Sequence, residues 1–262
     1  MIKFFRRLRR QLLSENRFSK YLIYAIGEII LVVVGILIAL SINNWNSKRL
    51  AKLEEKVILE NLLNEFETNH IDLKMAIANR EKGLNANKEL LELMNSDISH
   101  LSTQRLDSLI GISRYITTFE PKTGIIDGII NSGKTDLIEN DDLRKMLSSW
   151  AGALEDLQTV EKDQSNIIIS QYNPYLGKYL TLRNSNARAL SVLFANTKQK
   201  WTKWHPDIYT SHKLDYQKLF SDPEFESLVS TLSIWRIGGF LRADELRIKI
   251  EDIITLIQKE LK

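Results

Sequence analysis

Tyr21 to Ile42 is an apolar run broken by one acid, Glu28, and preceded by a strongly basic N-terminus. About twenty apolar residues rising ~1.5 Å each cross a ~30 Å hydrocarbon core as a helix. A helix apolar on all sides must be covered by lipid or by a core on every face for six turns. A cleaved export signal has an apolar region of only about 7–15 residues ending at a small-residue site. Ala39-Leu40-Ser41 resembles such a site, but apolar Ile42 follows it and the basic stretch ahead of the run is long. Arg9-Arg10 stands about ten residues before the run, with no polar residue in front of it, so it does not read as a twin-arginine signal. The run therefore predicts an uncleaved transmembrane anchor.

Charge predicts its orientation. Lys3, Arg6, Arg7, Arg9, Arg10, Arg17 and Lys20 precede the run; Lys48, Arg49, Lys52 and Lys56 follow it, mixed with Glu54 and Glu55. Lys and Arg near a span stay on the cytoplasmic side, and acids count little. The expected organisation is a basic cytoplasmic segment over 1–20, a transmembrane helix over 21–42, and an extracytoplasmic helical domain over 43–262. This is a single pass through the inner (cytoplasmic) membrane with a periplasmic C-terminal domain. Tyr21, Tyr24 and Trp45 sit where an interfacial aromatic belt is expected. Phe4, Phe5, Leu8 and Leu12 among the N-terminal bases suit an amphipathic segment on anionic membrane lipid.

The formal net charge is +3, of which residues 1–42 carry +5 and residues 43–262 carry −2. The basic excess belongs to the anchor, which argues against nucleic acid as a partner. The chain has no cysteine, which excludes disulfides, thiol nucleophiles and thiolate metal sites. With 11 Gly and 4 Pro in 262 residues, long helices are favoured over a turn-rich sheet fold.

Periodicity extends this reading. Ser47 to Asn95 predicts one long helix, with a seam at Leu63, Phe66, His70, Leu73, Ile77, Arg80, Leu84, Asn87, Leu91 and Met94, the spacing of a coiled coil. Its three polar members either set register or mark where the helix rotates out of the core. Shorter helices are predicted from Thr103 to about Ile112, from a Thr123 cap to Gly133, and from an Asn140 cap to about Tyr172 before Pro174. Residues 183–221 are the least periodic and predict loops with short helices. Asp222-Pro223-Glu224 then starts a helix running almost to Lys262. Its stripe is Phe225, Val229, Leu232, Trp235, Gly239, Leu246, Ile250, Ile253 and Ile257, and Gly238-Gly239 either kinks it or lets another helix approach. The fold class expected is all-α: one N-terminal transmembrane helix continuing into a long helix, and a helical bundle closed by an antiparallel C-terminal helix.

Two stretches carry a family resemblance. SENRFSKYLIYAIGEIILVVVGILIALSINNWN, from Ser14 to Asn46, resembles the N-terminal signature of uncharacterised single-pass membrane proteins of flavobacteria and related Bacteroidetes. IINSGKTDLIENDDLRKMLSSW, from Ile129 to Trp150, resembles that family's second recurring block. The family is a domain of unknown function; the resemblance implies a location and an architecture but no catalytic residues.

Chemistry-bearing patterns are few. Gly128 to Thr135 fits the phosphate-loop spacing G-x-x-x-x-G-K-[ST], but that loop needs a buried strand before it. Here isoleucines at helical spacing precede it and Asp136, Glu139, Asp141 and Asp142 follow, so a turn between two helices is expected. His70, His100, His205 and His212 include no pair at helical metal-ligand spacing. Trp201, Trp204, His205 and Asp207 form the densest cluster of unusual side chains, a pocket candidate whose plainer reading is a loop packed on a bundle. Glu28 lies roughly 10 Å inside the span and shares a helix face with Gly35 and Ala39, a small-xxx-small pair that permits close helix approach. That face predicts a helix–helix contact: a hydrogen-bonded Glu28 pair in a homo-oligomer, or a base of another membrane protein. The expectation is a non-enzymatic interaction or scaffold protein without cofactor or metal; the alternative is a ligand-sensing bundle that signals through a membrane partner.

Overall fold

The computed structural model describes residues 18–94, 96–193, 210, 212 and 214–262. All regular structure among these residues is helical. The chain divides into two compact units at Val57–Ile58. Helix α1 (Phe18–Met94) supplies the described part of the first and opens the second.

In the first unit every large aliphatic side chain described from Leu22 to Ile42 is at least 46% exposed. Among the described residues this is the one helix long and apolar enough to cross a membrane. None of the described residues covers this segment as a folded core would.

In the second unit α1 is followed by α2 (Thr103–Ser113), α3 (Gly124–Asn131), a 3-10 turn at Lys134–Leu137, and α4 (Asp141–Ser148). Then come α5 (Trp150–Ile167), a π-helical turn at Ile168–Tyr172, α6 (Asn173–Leu176), α7 (Leu182–Leu193), α8 (Tyr216–Phe220) and α9 (Pro223–Glu260). Residues 58–94 of α1 and the whole of α9 are each roughly 55 Å long, and they run antiparallel. His70 Nε2 is 2.8 Å from Glu251, and Asn87 donates to Ser233 at 3.2 Å.

Both helices bury residues alternating by three and four. On α9 the seam is Phe225, Val229, Leu232, Arg236, Gly239, Ala243, Leu246, Ile250, Ile253 and Ile257. Trp235, expected on this stripe, is only half-buried, and Arg236 takes the core position. On α1 the buried line is Leu62, Phe66, Asn69, Leu73, Ala76, Arg80, Gly83, Asn87 and Leu90. Four of the ten expected seam members, Phe66, Leu73, Arg80 and Asn87, are buried; Leu63, His70, Ile77, Leu84 and Leu91 each fall one residue late and are only partly buried, as is Met94. Leu62 and Leu90 take two of those places; the residues in the other three, Asn69, Ala76 and Gly83, are small or polar, so a search for large apolar side chains passes over them.

Two apolar cores stack along the unit. One joins Leu62, Phe66 and Leu73 to Ile126, Leu143, Trp150, Leu157 and the C-terminal half of α9. Phe66 meets Trp150 edge-on at 5.0 Å between ring centroids. The other joins Leu90, Leu109, Ile110, Tyr172, Tyr175 and the N-terminal half of α9, with Tyr172 stacked on Phe225. Each fully buried side chain of this size stabilises by roughly 1.5–3 kcal/mol.

Local chemistry sets the element boundaries. Ser102, Asn140 and Asp222 each accept a backbone N–H of the following turn, as their residue types favour. Thr123 stands at the start of α3 as expected, but its side chain does not cap. The carboxylate of Glu65 on α1 accepts from the amides of Ile125 and Ile126 at 2.7 and 3.0 Å instead. Asn69 brackets Lys122, donating to its carbonyl and accepting from its amide. Gly133 follows α3 at φ 69°, the left-handed conformation that ends helices at little cost to glycine. The helix after Asn140 is interrupted at Ser149 and continues past Pro174, because the wider π-helical turn sits where Pro174 offers no N–H to the ladder. In 183–221, part of α7 and all of α8 are helical.

Candidate functional site

Between the two cores lies a layer of buried polar groups. Arg80 and Arg236 are each 4% exposed and Glu161 is 5% exposed. Arg80 on α1 donates to Glu161 on α5. Glu161 also accepts from the Phe119 amide at 3.1 and 3.3 Å. Burial pushes the Glu161 carboxyl up, against the pull of Arg80; burial pushes the Arg80 guanidinium down, against the pull of Glu161.

Arg236 is held differently. Its Nη2 donates to the carbonyls of Ser113 at 2.5 Å and Tyr115 at 3.2 Å, where α2 ends. Helix C-termini present unpaired carbonyls and the negative end of the helix dipole, which suits a cation. Burial lowers its pKa to about 10, with Tyr172 opposing and Arg80 adding to the shift. Ser113 Oγ and Tyr172 Oη, 3.0 Å apart, extend the layer.

Two glycines make room for the two arginines. A Cβ on Gly83 would stand 2.1 Å from Arg236 Nη1, and one on Gly239 would stand 3.4 Å from Arg80 Nη1. The antiparallel helices thus exchange an Arg-x-x-Gly step: Arg80 of α1 faces Gly239 of α9, and Arg236 of α9 faces Gly83 of α1. The layer is enclosed: Glu161 answers Arg80 and the C-terminus of α2 answers Arg236, while the Nε groups of both arginines and the Asn87 amide oxygen are buried without a hydrogen-bond partner among the described residues. Its physical effect is to set register, since a slip of one turn would drive a guanidinium into an apolar core.

The other candidates fall elsewhere. Glu28, Gly35 and Ala39 all lie on α1 in the first unit and are exposed; nothing lies within 4 Å of the Cβ position of Gly35. The phosphate-loop pattern is an interhelical turn: Gly128 is inside α3 and Gly133 is its C-terminal glycine. Thr135 edges a shallow surface concavity with Asp141, Arg144 and Ser148, where Arg144 is engaged by Asp141 and the Ile138 carbonyl. Trp201, Trp204, His205 and Asp207 lie outside the described residues. Among those described, no three His, Asp or Glu side chains converge as metal ligands. Sequence reading had Arg80 on the α1 seam as a register candidate and Gly239 on the α9 stripe as a point of close approach, but it missed Gly83, Glu161 and Arg236; Arg80-x-x-Gly83 and Arg236-x-x-Gly239 on two antiparallel seams is a signal that could have found them.

The model of a family of unknown function (DUF6090) matches residues 28–151. This region takes in the apolar segment from Glu28, the rest of α1, and the chain through α4. No curated protein and no solved structure matches the chain.

Proposed function

We propose that this chain is a non-enzymatic interaction or scaffold protein held in the inner membrane by α1. In this reading the first twenty residues are cytoplasmic and the helical unit from Ile58 is periplasmic. Its partners are membrane lipid and either a second copy or another membrane protein, and nucleic acid is not among them. The observation that carries the reading is the exposure of the apolar segment: from Leu22 to Ile42 its large aliphatic side chains meet no protein among the described residues. Covering them from water is worth roughly 25 cal/mol per Å2 of apolar surface, which over some twenty residues far exceeds the cost of the single acid Glu28. The enclosed arginine layer fits a rigid bundle better than a ligand-binding cavity. The test is alkaline carbonate extraction of membranes from cells making the full chain, followed by protease treatment of spheroplasts. Retention in the pellet with the C-terminal unit digested from outside is expected. Release into the supernatant would overturn the anchor, and protection of the C-terminal unit would reverse the topology.

A further inference from the structure

On an α-helix advancing about 100° per residue, the face that carries Glu28, Gly35 and Ala39 does not stop at the end of the apolar run. Asn46, Leu50, Leu53 and Val57 fall within about 40° of the same line. Leu50, Leu53 and Val57 are 52%, 52% and 56% exposed, although they lie beyond Ile42, where lipid no longer covers them. Lys48, Ala51 and Glu55 occupy the opposite side. From Glu28 to Val57 the line takes about 3.6 residues per turn, so two straight helices could stay in contact along it without supercoiling. It would extend roughly 44 Å.

We infer that this line is the contact face for a second copy of the chain, paired in parallel from Glu28 through Val57. The inference rests on the membrane-anchored reading above, because insertion in one orientation forces two copies to be parallel. Each position then faces its own counterpart: Gly35 meets Gly35 where backbones must approach, and Asn46 meets Asn46, whose amide is both donor and acceptor. The flanks distinguish a second copy from a different partner. Arg49 lies on one flank and Glu54 on the other, five residues on. In a parallel helix pair a flanking residue meets the one five positions later on the opposite helix. Arg49 of each copy therefore meets Glu54 of the other, giving two equivalent ion pairs. Arg49 also donates to Asn46 at 3.4 Å within its own helix, which keeps its guanidinium beside the line. The next such pair, Lys56 with Asn61, brings no like charges together.

The absence of cysteine makes a direct test simple. Single cysteines are placed in the full chain at Asn46, Leu50, Leu53 and Val57, and for comparison at Lys48, Ala51 and Glu55. Membranes are oxidised and dimers read on non-reducing gels. Strong dimer at the first four positions and at least fivefold less at the other three is expected. Arg49→Glu in the Leu53→Cys background should reduce dimer severalfold, and Arg49→Glu with Glu54→Arg should restore it. Dimer without this periodicity, or no dimer from chain that stays in carbonate-washed membranes, would overturn the inference and leave the anchor standing. Cross-links only to a product of another mass would replace the second copy with a different protein. Chain recovered from the soluble fraction would overturn the anchor and this inference together.

Discussion

Glycine 83 has no role that residue-by-residue propensity would assign it. In a helix interior, Gly→Ala ordinarily stabilises by about 1 kcal/mol. At Gly83 the added methyl would meet the Arg236 guanidinium, which is pinned to the Ser113 and Tyr115 carbonyls and cannot swing away freely. Gly111 is more constrained still: its Cβ would stand 2.0 Å from the Ser185 carbonyl oxygen, so α2 and α7 would have to part. Gly152 in α5 has nothing within 4 Å. Thermal and urea unfolding should therefore rank the three apart. Gly152→Ala should stabilise by up to ~1 kcal/mol, Gly83→Ala should destabilise by about 2 kcal/mol, and Gly111→Ala by about 3 kcal/mol or more. Equal effects at all three positions would mean that the close approaches are not there. The buried ion pair makes a second residue-scale prediction. Arg80→Met leaves Glu161 a buried carboxylate without its cation and should cost about 3–5 kcal/mol. Arg80→Met with Glu161→Leu should recover part of that loss, although the Phe119 amide then lacks its acceptor. A double-mutant cycle in urea with no coupling would refute the pair.

At the scale of the element, the start of α9 joins local sequence to tertiary contact. Asp222 accepts from the Glu224 amide at 2.9 Å and from the Tyr179 hydroxyl. The Tyr175 and Tyr179 hydroxyls and that amide hold its pKa down to about 2. An unfolded aspartate titrates near about 3.9. A depressed folded value means the stabilisation is present above pH ~4 and is lost as pH falls toward about 2. Asp222→Asn keeps a good capping side chain but cannot titrate. The wild-type protein should therefore lose more stability than Asp222→Asn between about pH 4 and 2. Parallel pH–stability curves for the two would remove Asp222 from the account. The Asp222-Pro223 start was legible because capping is a contact over two or three residues. The start of α3 at Thr123 was legible too, but the group that caps it was not, because the carboxylate that accepts its first amides belongs to Glu65, sixty residues earlier in the chain.

At the scale of the whole molecule, the division at Val57–Ile58 has a direct consequence. Residues from Ile58 onward contain both apolar cores and the arginine layer. The fragment 58–262 should therefore be soluble without detergent. It should unfold in one cooperative transition within a few degrees of the full chain in detergent, as scanning calorimetry would register. Aggregation of the fragment, or a broad transition, would mean that residues before Ile58 contribute to the folded unit.

Some properties of this protein follow from sequence alone because they depend on neighbours a few residues apart. These include the apolar run and its basic flank, the helical character of the chain, the caps at Asn140 and Asp222, the glycine stop at Gly133, and most of the α9 stripe. Hydropathy, charge asymmetry and capping act over one to three turns, and a single chain displays them. The tertiary structure alone decided what fills the centre of the bundle. Hydrophobic periodicity locates a seam only to within one residue when its members include Asn69, Ala76, Gly83, Arg80 and Arg236. Burying a guanidinium is favourable only when a glycine on the facing helix makes room and a carboxylate or a helix C-terminus answers its charge. Those conditions join residues 83 and 236, or 80 and 161, that are far apart in sequence, and they exist only once the helices have packed.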